Sequence, residues 1–123
     1  MNKTKKKNRK KVDTVKSVNN SIRTSVRKLN PILKSIVGKK VDVAMRDLQF
    51  SAKRISKDIR KTIGSAVANA ENNNNLDIDK LFVKEAYVGK SLRMKRFRPM
   101  SKGRAFQIIK PFSRLTVVLE ERL

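Results

Sequence analysis

The chain has 123 residues, with 32 Lys and Arg against 10 Asp and Glu and a formal charge of +22. Its apolar fraction is 38%, below the roughly 45–50% of ordinary globular domains, and no run approaches the ~20 apolar residues of a membrane span. It has no Cys and no His, which excludes disulfides, thiolate catalysis and Cys-ligated metals, and removes the commonest general base and the usual catalytic zinc ligand.

A charge this large on so small a chain repels itself unless a polyanion neutralises it. Membrane-surface peptides gather their charge on one face of an amphipathic helix. Here basic residues occur in every segment, so the expected partner is nucleic acid, with no membrane and no small-molecule substrate. The opening lysines are not followed by an apolar stretch, and no Arg/Ser-rich transit pattern is evident. The composition reads as a binder rather than an enzyme.

Residues 1–11 hold seven basic residues (Lys3, Lys5, Lys6, Lys7, Arg9, Lys10 and Lys11) and no acid. Such a block cannot bury enough surface to offset its ordering entropy, so a disordered basic arm is expected over 1–20 and one folded domain over 21–123. From Ser25 the pattern turns helical: Val26, Leu29, Leu33, Ile36 and Val37 share a face, with Ser25 as N-cap and Gly38 as the stop. Pro31 lacks the N–H that bonds the carbonyl of Arg27, which predicts a kink or a start shifted to Asn30–Pro31. A second helix fits Val41–Gln49, with Asp42 and Arg46 paired at i,i+4. The third is the clearest. Ile55, Ile59, Ile63, Ala66, Val67 and Ala70 fall within an arc of about 120°, with Lys53, Arg54, Lys57, Arg60 and Lys61 flanking that stripe or pointing away. It ends in Asn72–Asn75, a run suited to turns and left-handed caps.

After Asp79 the texture becomes that of strands. Leu81–Val88 is rich in β-branched and aromatic residues and is punctuated by Gly89-Lys90. Leu92–Arg98 alternates imperfectly, Pro99 to Gly103 reads as a turn, Arg104–Ile109 returns until Pro111, and Leu115–Leu119 is a final strand. Leu81, Val83, Val117 and Leu119 are expected in the core, and Tyr87 in the core or at its rim. Three helices followed by a strand-rich half predict an α+β fold with a segregated antiparallel sheet.

Between Glu85 and Glu120 there is no acid, while nine of the 34 intervening residues are basic. Alternation puts Leu92, Met94, Arg96 and Arg98 on one face and Arg93, Lys95 and Phe97 on the other. Neither face is apolar enough to pack on a core, so a long hairpin, about 88–110, is expected to project from the domain, where its bare edges need a partner. Planar Arg forks suit phosphate. With no RRM aromatic signature, GXXG loop or zinc-knuckle cysteines, recognition by shape and phosphate is expected rather than reading of single-stranded sequence. Two other readings compete. An architectural DNA-binding protein also combines helices with a basic β arm. A ribonuclease would need carboxylates such as Asp77 and Asp79 to hold Mg²⁺, but such a pair beside a turn reads as capping and no nucleophile accompanies it. No catalytic residue, metal or cofactor is expected.

Val88-Gly89-Lys90, Met94-Lys95-Arg96-Phe97-Arg98-Pro99 and Lys102-Gly103-Arg104-Ala105 resemble the large-subunit ribosomal protein twenty-two family of the bacterial and organellar type. So do Ser25-Val26-Arg27-Lys28-Leu29-Asn30, Leu48-Gln49-Phe50-Ser51-Ala52-Lys53, Ser65-Ala66-Val67-Ala68-Asn69-Ala70-Glu71-Asn72 and Leu115-Thr116-Val117-Val118, all in the family's order. The resemblance covers roughly residues 21–121. It implies three helices packed on a small antiparallel sheet with a long projecting β-hairpin. It also implies binding to large-subunit rRNA, a role in subunit assembly beside neighbouring large-subunit ribosomal proteins, and a hairpin tip that lines the nascent-peptide exit tunnel. The location would be the ribosome, in the bacterial cytoplasm or the mitochondrial matrix.

Carried over by motif, rRNA contacts fall on Arg27, Lys28, Lys53, Lys95, Arg96, Arg98, Lys102 and Arg104. Their charge adds Arg23, Lys39, Lys40 and Arg54, and the arm residues Lys5, Lys6, Lys7, Arg9, Lys10 and Lys11, to the expected rRNA-binding set. Met100, Ser101, Lys102 and Gly103 are the tunnel-facing residues by the same resemblance, next to the nascent polypeptide. The family usually carries Arg-Ala where Met100-Ser101 stands, so the tip here is less cationic. Pro31 in the first helix and the longer lysine-rich arm are further departures.

Overall fold

Alternating apolar residues near the end of the chain build the centre of a sheet, and each other element packs on or beside it. The computed structural model describes residues 14–122. In chain order these form β1 (Thr14–Ile22), α1 (Val26–Ile36), α2 (Val41–Gln49), α3 (Ser56–Asn74), a 3-10 turn over Ile78–Lys80, β2 (Leu81–Pro99), a second such turn over Ser101–Gly103, and β3 (Ala105–Glu121). The sheet order is β1-β3-β2, antiparallel throughout. The architecture is therefore α+β, with three helices, a small antiparallel sheet and a long two-stranded extension, as the sequence predicts.

The helices bury most of the predicted stripes, but Val37 falls beyond the end of α1 and is exposed, while Ile32, outside the predicted stripe, is buried. Leu29, Leu33 and Ile36 of α1, Val41, Ala44 and Leu48 of α2, and Ile59, Ile63, Ala66 and Ala70 of α3 join one core with Leu81, Val83, Leu115, Val117 and Leu119 of the sheet. Burying each large aliphatic side chain contributes roughly 1.5–3 kcal/mol. Asn75 ends α3 in the left-handed region at φ 50°, and the amides of Asn75 and Leu76 both donate to the Ala70 carbonyl. At the other helix junction Gly38 takes φ 84°, which a side chain disfavours. Its amide donates to the Val83 carbonyl at 2.8 Å, and Val83 N–H donates back to the Lys39 carbonyl at 3.0 Å.

Several expectations are corrected. Order begins before residue 21: Thr14–Ile22 is β1, paired along β3 from Thr14↔Glu120 to Ile22↔Ser113. The residues are mostly polar, so only their partner strand reveals them. The arm residues Lys5, Lys6, Lys7, Arg9, Lys10 and Lys11 lie outside the described residues. α1 starts at Val26, not at Pro31, and runs through the proline. Arg27 and Pro31 are exposed, so water can serve the carbonyl that the proline leaves unpaired. Ser25 stands at the N-cap, but its side chain makes no cap bond. On α2 the ion pair is not Asp42 with Arg46; Lys39 reaches Asp47 instead, at 2.9 Å.

The strand-rich half is simpler than its punctuation suggests. Gly89-Lys90 does not end β2, and the predicted break at Pro111 does not end β3. Pro111 lies just beyond the last β1 pairing, Ile22↔Ser113, where β3 has one unpaired edge, a place that tolerates a residue without an N–H. Tyr87 is 53% exposed. An irregularity between Val83 and Glu85 shifts the alternation, so Ala86 and Val88 pack against the core and Tyr87 falls on the opposite face.

Candidate nucleic-acid interface

The extension begins where the sheet narrows from three strands to two. At Ser113 both flanking strands become irregular: β1 between Asn19 and Ile22, and β2 between Lys90 and Arg93. Such bulges increase local twist and re-aim the strand beyond them. Two side-chain bonds fix this root. The buried Ser113 hydroxyl donates to the Thr24 carbonyl at 2.6 Å, and the Ser91 hydroxyl donates to the Asn20 carbonyl at 2.9 Å.

Beyond the root, β2 and β3 pair without interruption from Arg93↔Pro111 to Pro99↔Ala105, a projection of roughly 20 Å. Every residue from Lys95 to Lys110 is exposed. The register sets cations opposite apolar residues: Arg96↔Ile108, Arg98↔Phe106 and Lys95↔Ile109. Paired residues share a face, so each face offers positive charge beside flat apolar surface, and Phe97 is 77% exposed. This chemistry suits RNA, whose phosphates take the charge while bases and sugars take the apolar surface.

At the tip the Met100 amide donates to the Arg104 carbonyl at 2.7 Å. Lys102 and Gly103 both take positive φ, 62° and 68°, a tight turn that the glycine eases. Met100, Ser101, Lys102 and Gly103 are therefore the outermost residues of the projection. Arg96 folds back along its own strand, donating from one guanidinium nitrogen to the Lys95 carbonyl at 2.9 Å. The ion pairs among the described residues are Lys39–Asp47, Lys80–Asp77 and Arg122–Glu120, and none involves the hairpin.

The remaining predicted cations divide into groups. Lys28, Lys53 and Arg54 meet around a recess of about 430 Å³ between α1 and the loop after α2. Lys53 and Arg54 also border a second recess of about 290 Å³ with Lys57 and Arg60. These last two were outside the expected set, although their helical spacing from Lys53 was a usable signal. Arg27 meets Lys90 and Arg93 at the hairpin root; only the bulge brings these together. Arg23 is exposed in the bend before α1. Lys39 and Lys40 lie apart from these groups. Lys40 bridges to Phe82 at the far end of the sheet, and Lys39 is held by Asp47, whose carboxyl titrates below its ordinary value because it accepts a hydrogen bond from the Lys39 ammonium.

Four acids lie at that far end. Glu120 and Glu121 pair with Phe82 and Leu81, and Asp77 and Asp79 flank the turn before β2. Asp77 Oδ1 accepts from the Asp79 amide at 3.1 Å, the capping role expected of the pair. No cluster of carboxylates suited to a metal occurs among the described residues. Charges of both signs therefore meet at that end of the sheet, where Lys39, Lys80 and Arg122 each pair with a carboxylate, whereas the projection carries cations alone.

Residues 17–120 match the model of the family described as ribosomal protein L22p/L17e. The chain is 74% identical to the large ribosomal subunit protein uL22 of Pelagibacter ubique over 98% of this chain and 92% of that one. It is 60% identical to the protein of the same name from Maricaulis maris, over 81% of this chain and 79% of that one. For the Caulobacter vibrioides protein the identity is 56%, over 82% of this chain and 80% of that one.

Proposed function

The chain belongs to the ribosomal protein L22p/L17e family, and from that premise we propose that it is a structural constituent of the large ribosomal subunit in a bacterial cytoplasm. It binds large-subunit rRNA, aids assembly, contacts neighbouring subunit proteins and lines the nascent-peptide exit tunnel with its hairpin tip. It is not an enzyme.

The observation that carries this reading is the projecting hairpin. It has cations on both faces, no carboxylate between Ala86 and Leu119, and no core of its own. A free protein gains nothing from such an element, whereas a polyanion that surrounds it neutralises its charge and covers its edges. Arg98 and Arg104 offer permanently charged forks on the two arms, and Arg96 does the same once it swings off the Lys95 carbonyl and the Met94 sulfur. The tip carries Met100 and Ser101 in place of additional charge. In a confined passage, where charges are screened less than at an open surface, this gives basic nascent segments an easier path.

The test separates anchoring from tunnel function. Arg96→Ala combined with Arg98→Ala is expected to weaken incorporation into sedimenting large subunits. Met100→Arg is expected to leave assembly near normal and to change the transit of basic nascent segments in a stalling reporter. Blocked assembly with Met100→Arg and normal incorporation of the double alanine variant would reverse the two assignments.

A further inference from the structure

The hairpin root contains a groove that differs from the rest of the cationic surface. It has a volume of about 550 Å³ and lies between the start of α1 and the place where the sheet emerges from beneath that helix. This is within the ~300–1,000 Å³ of sites that enclose small ligands. Val26, Ile109 and Pro111 supply apolar surface, and Arg27, Lys90 and Arg93 supply charge. No carboxylate lines it. Asn30 and Ser25 add polar groups, and the Ser25 hydroxyl is not engaged in capping α1.

The register explains why these groups converge. Lys90 pairs with Ser113 and Arg93 with Pro111, so the bulge between Lys90 and Arg93 places two cations on the helix-facing side of the sheet with Ile109 and Pro111. Asn30 lies four residues after Val26 and three after Arg27, so it neighbours both on the surface of α1. The Ser113 bond to the Thr24 carbonyl ties the sheet wall to the segment that enters α1. The backbone of both walls is therefore set by the sheet pairing and by the Ser113 bond.

We propose that this groove receives one nucleotide of the rRNA turned out of its stack. The proposal rests on the rRNA-binding reading above and names where a single base is held. The base lies on the apolar surface of Val26, Ile109 and Pro111. Its flanking phosphates pair with Arg27, Lys90 and Arg93, and the Asn30 amide offers a donor and an acceptor to the base edge. A phosphate alone would not require the apolar floor. An apolar peptide side chain would not require three cations, so the charge of the rim commits the groove to a nucleotide.

The experiment uses the full-length protein bound to large-subunit rRNA carrying photoreactive 4-thiouridine. Crosslinks are expected in the peptides containing Val26–Arg27 or Ile109–Pro111. The crosslinked nucleotide is then made abasic and affinity is measured for wild type, Ile109→Asp and Arg93→Ala at one salt concentration. Both residues are exposed, so neither substitution opens the core. The abasic change is expected to weaken wild-type binding about tenfold, the order expected when roughly 55 Å² of apolar contact with the floor is lost. It should have little further effect on Ile109→Asp, because the base and the floor act as a pair. Binding to rRNA without a crosslink in the groove, or equal abasic losses in wild type and both variants, overturns the nucleotide site alone. Failure of the protein to bind rRNA overturns this proposal and the rRNA reading together.

Discussion

The same two strands behave as two different materials along their length. Where β2 and β3 lie beneath the helices, Leu81, Val83, Leu115, Val117 and Leu119 are fully buried and β1 covers the second edge of β3. Past the root, from Lys95 to Lys110, the pairing continues but nothing is buried. Backbone hydrogen bonding is common to both halves, so it is not what distinguishes them. Apolar burial holds the first half. A two-stranded ribbon in water is marginal at best, so the second half depends on its partner for rigidity. One continuous strand therefore serves both as core and as a ligand for a larger surface.

The widest expected contrast is in amide exchange. In the free protein, residues 95–106 should exchange at least ~1,000-fold faster than the buried strand positions Val83 and Val117, because local opening costs range from near zero to the global stability. Comparable protection in both regions would show that the hairpin is held as firmly as the core. Binding to the large subunit should slow the hairpin amides selectively.

A second contrast is in stability to side-chain truncation. Leu119→Ala should destabilise the fold by about 3 kcal/mol, as buried leucine truncations do. Ile108→Ala, in the hairpin of the same strand, should change stability by less than about 0.5 kcal/mol. Urea unfolding of the two variants measures both. A large loss for Ile108→Ala would mean that the hairpin shares in the cooperative core.

The smallest expected effect comes from the exposed Lys39–Asp47 pair. The hydrogen bond from Lys39 lowers the Asp47 pKa below 3.8. A carboxyl whose folded pKa lies below its unfolded one stabilises the fold above the unfolded value, and that contribution disappears as pH falls through the folded value. Lys39→Met should move the Asp47 titration, followed by carboxyl carbon NMR, back up toward its ordinary range. Because the pair is solvated, stability near neutral pH should barely change. A strong stability loss would show that this end of the sheet relies on electrostatics after all.

The sequence by itself determined the elements whose signal is local. The stripes of α2 and α3 and the core residues Leu81, Val83, Val117 and Leu119 were legible because apolar spacing reports directly on which face is buried. The projection of the hairpin was legible too, since neither face of Leu92–Arg98 offers a surface a core would accept. Tertiary structure decided what depends on a partner strand. β1 is invisible without β3, because Thr14–Ile22 carries few apolar residues. Tyr87 turns outward, and Lys90 and Arg93 meet Arg27, only because two bulges shift the register by steps that no residue pattern announces. A bulge changes the face of every residue after it, so faces along β2 could be assigned only once its pairing with β3 was known.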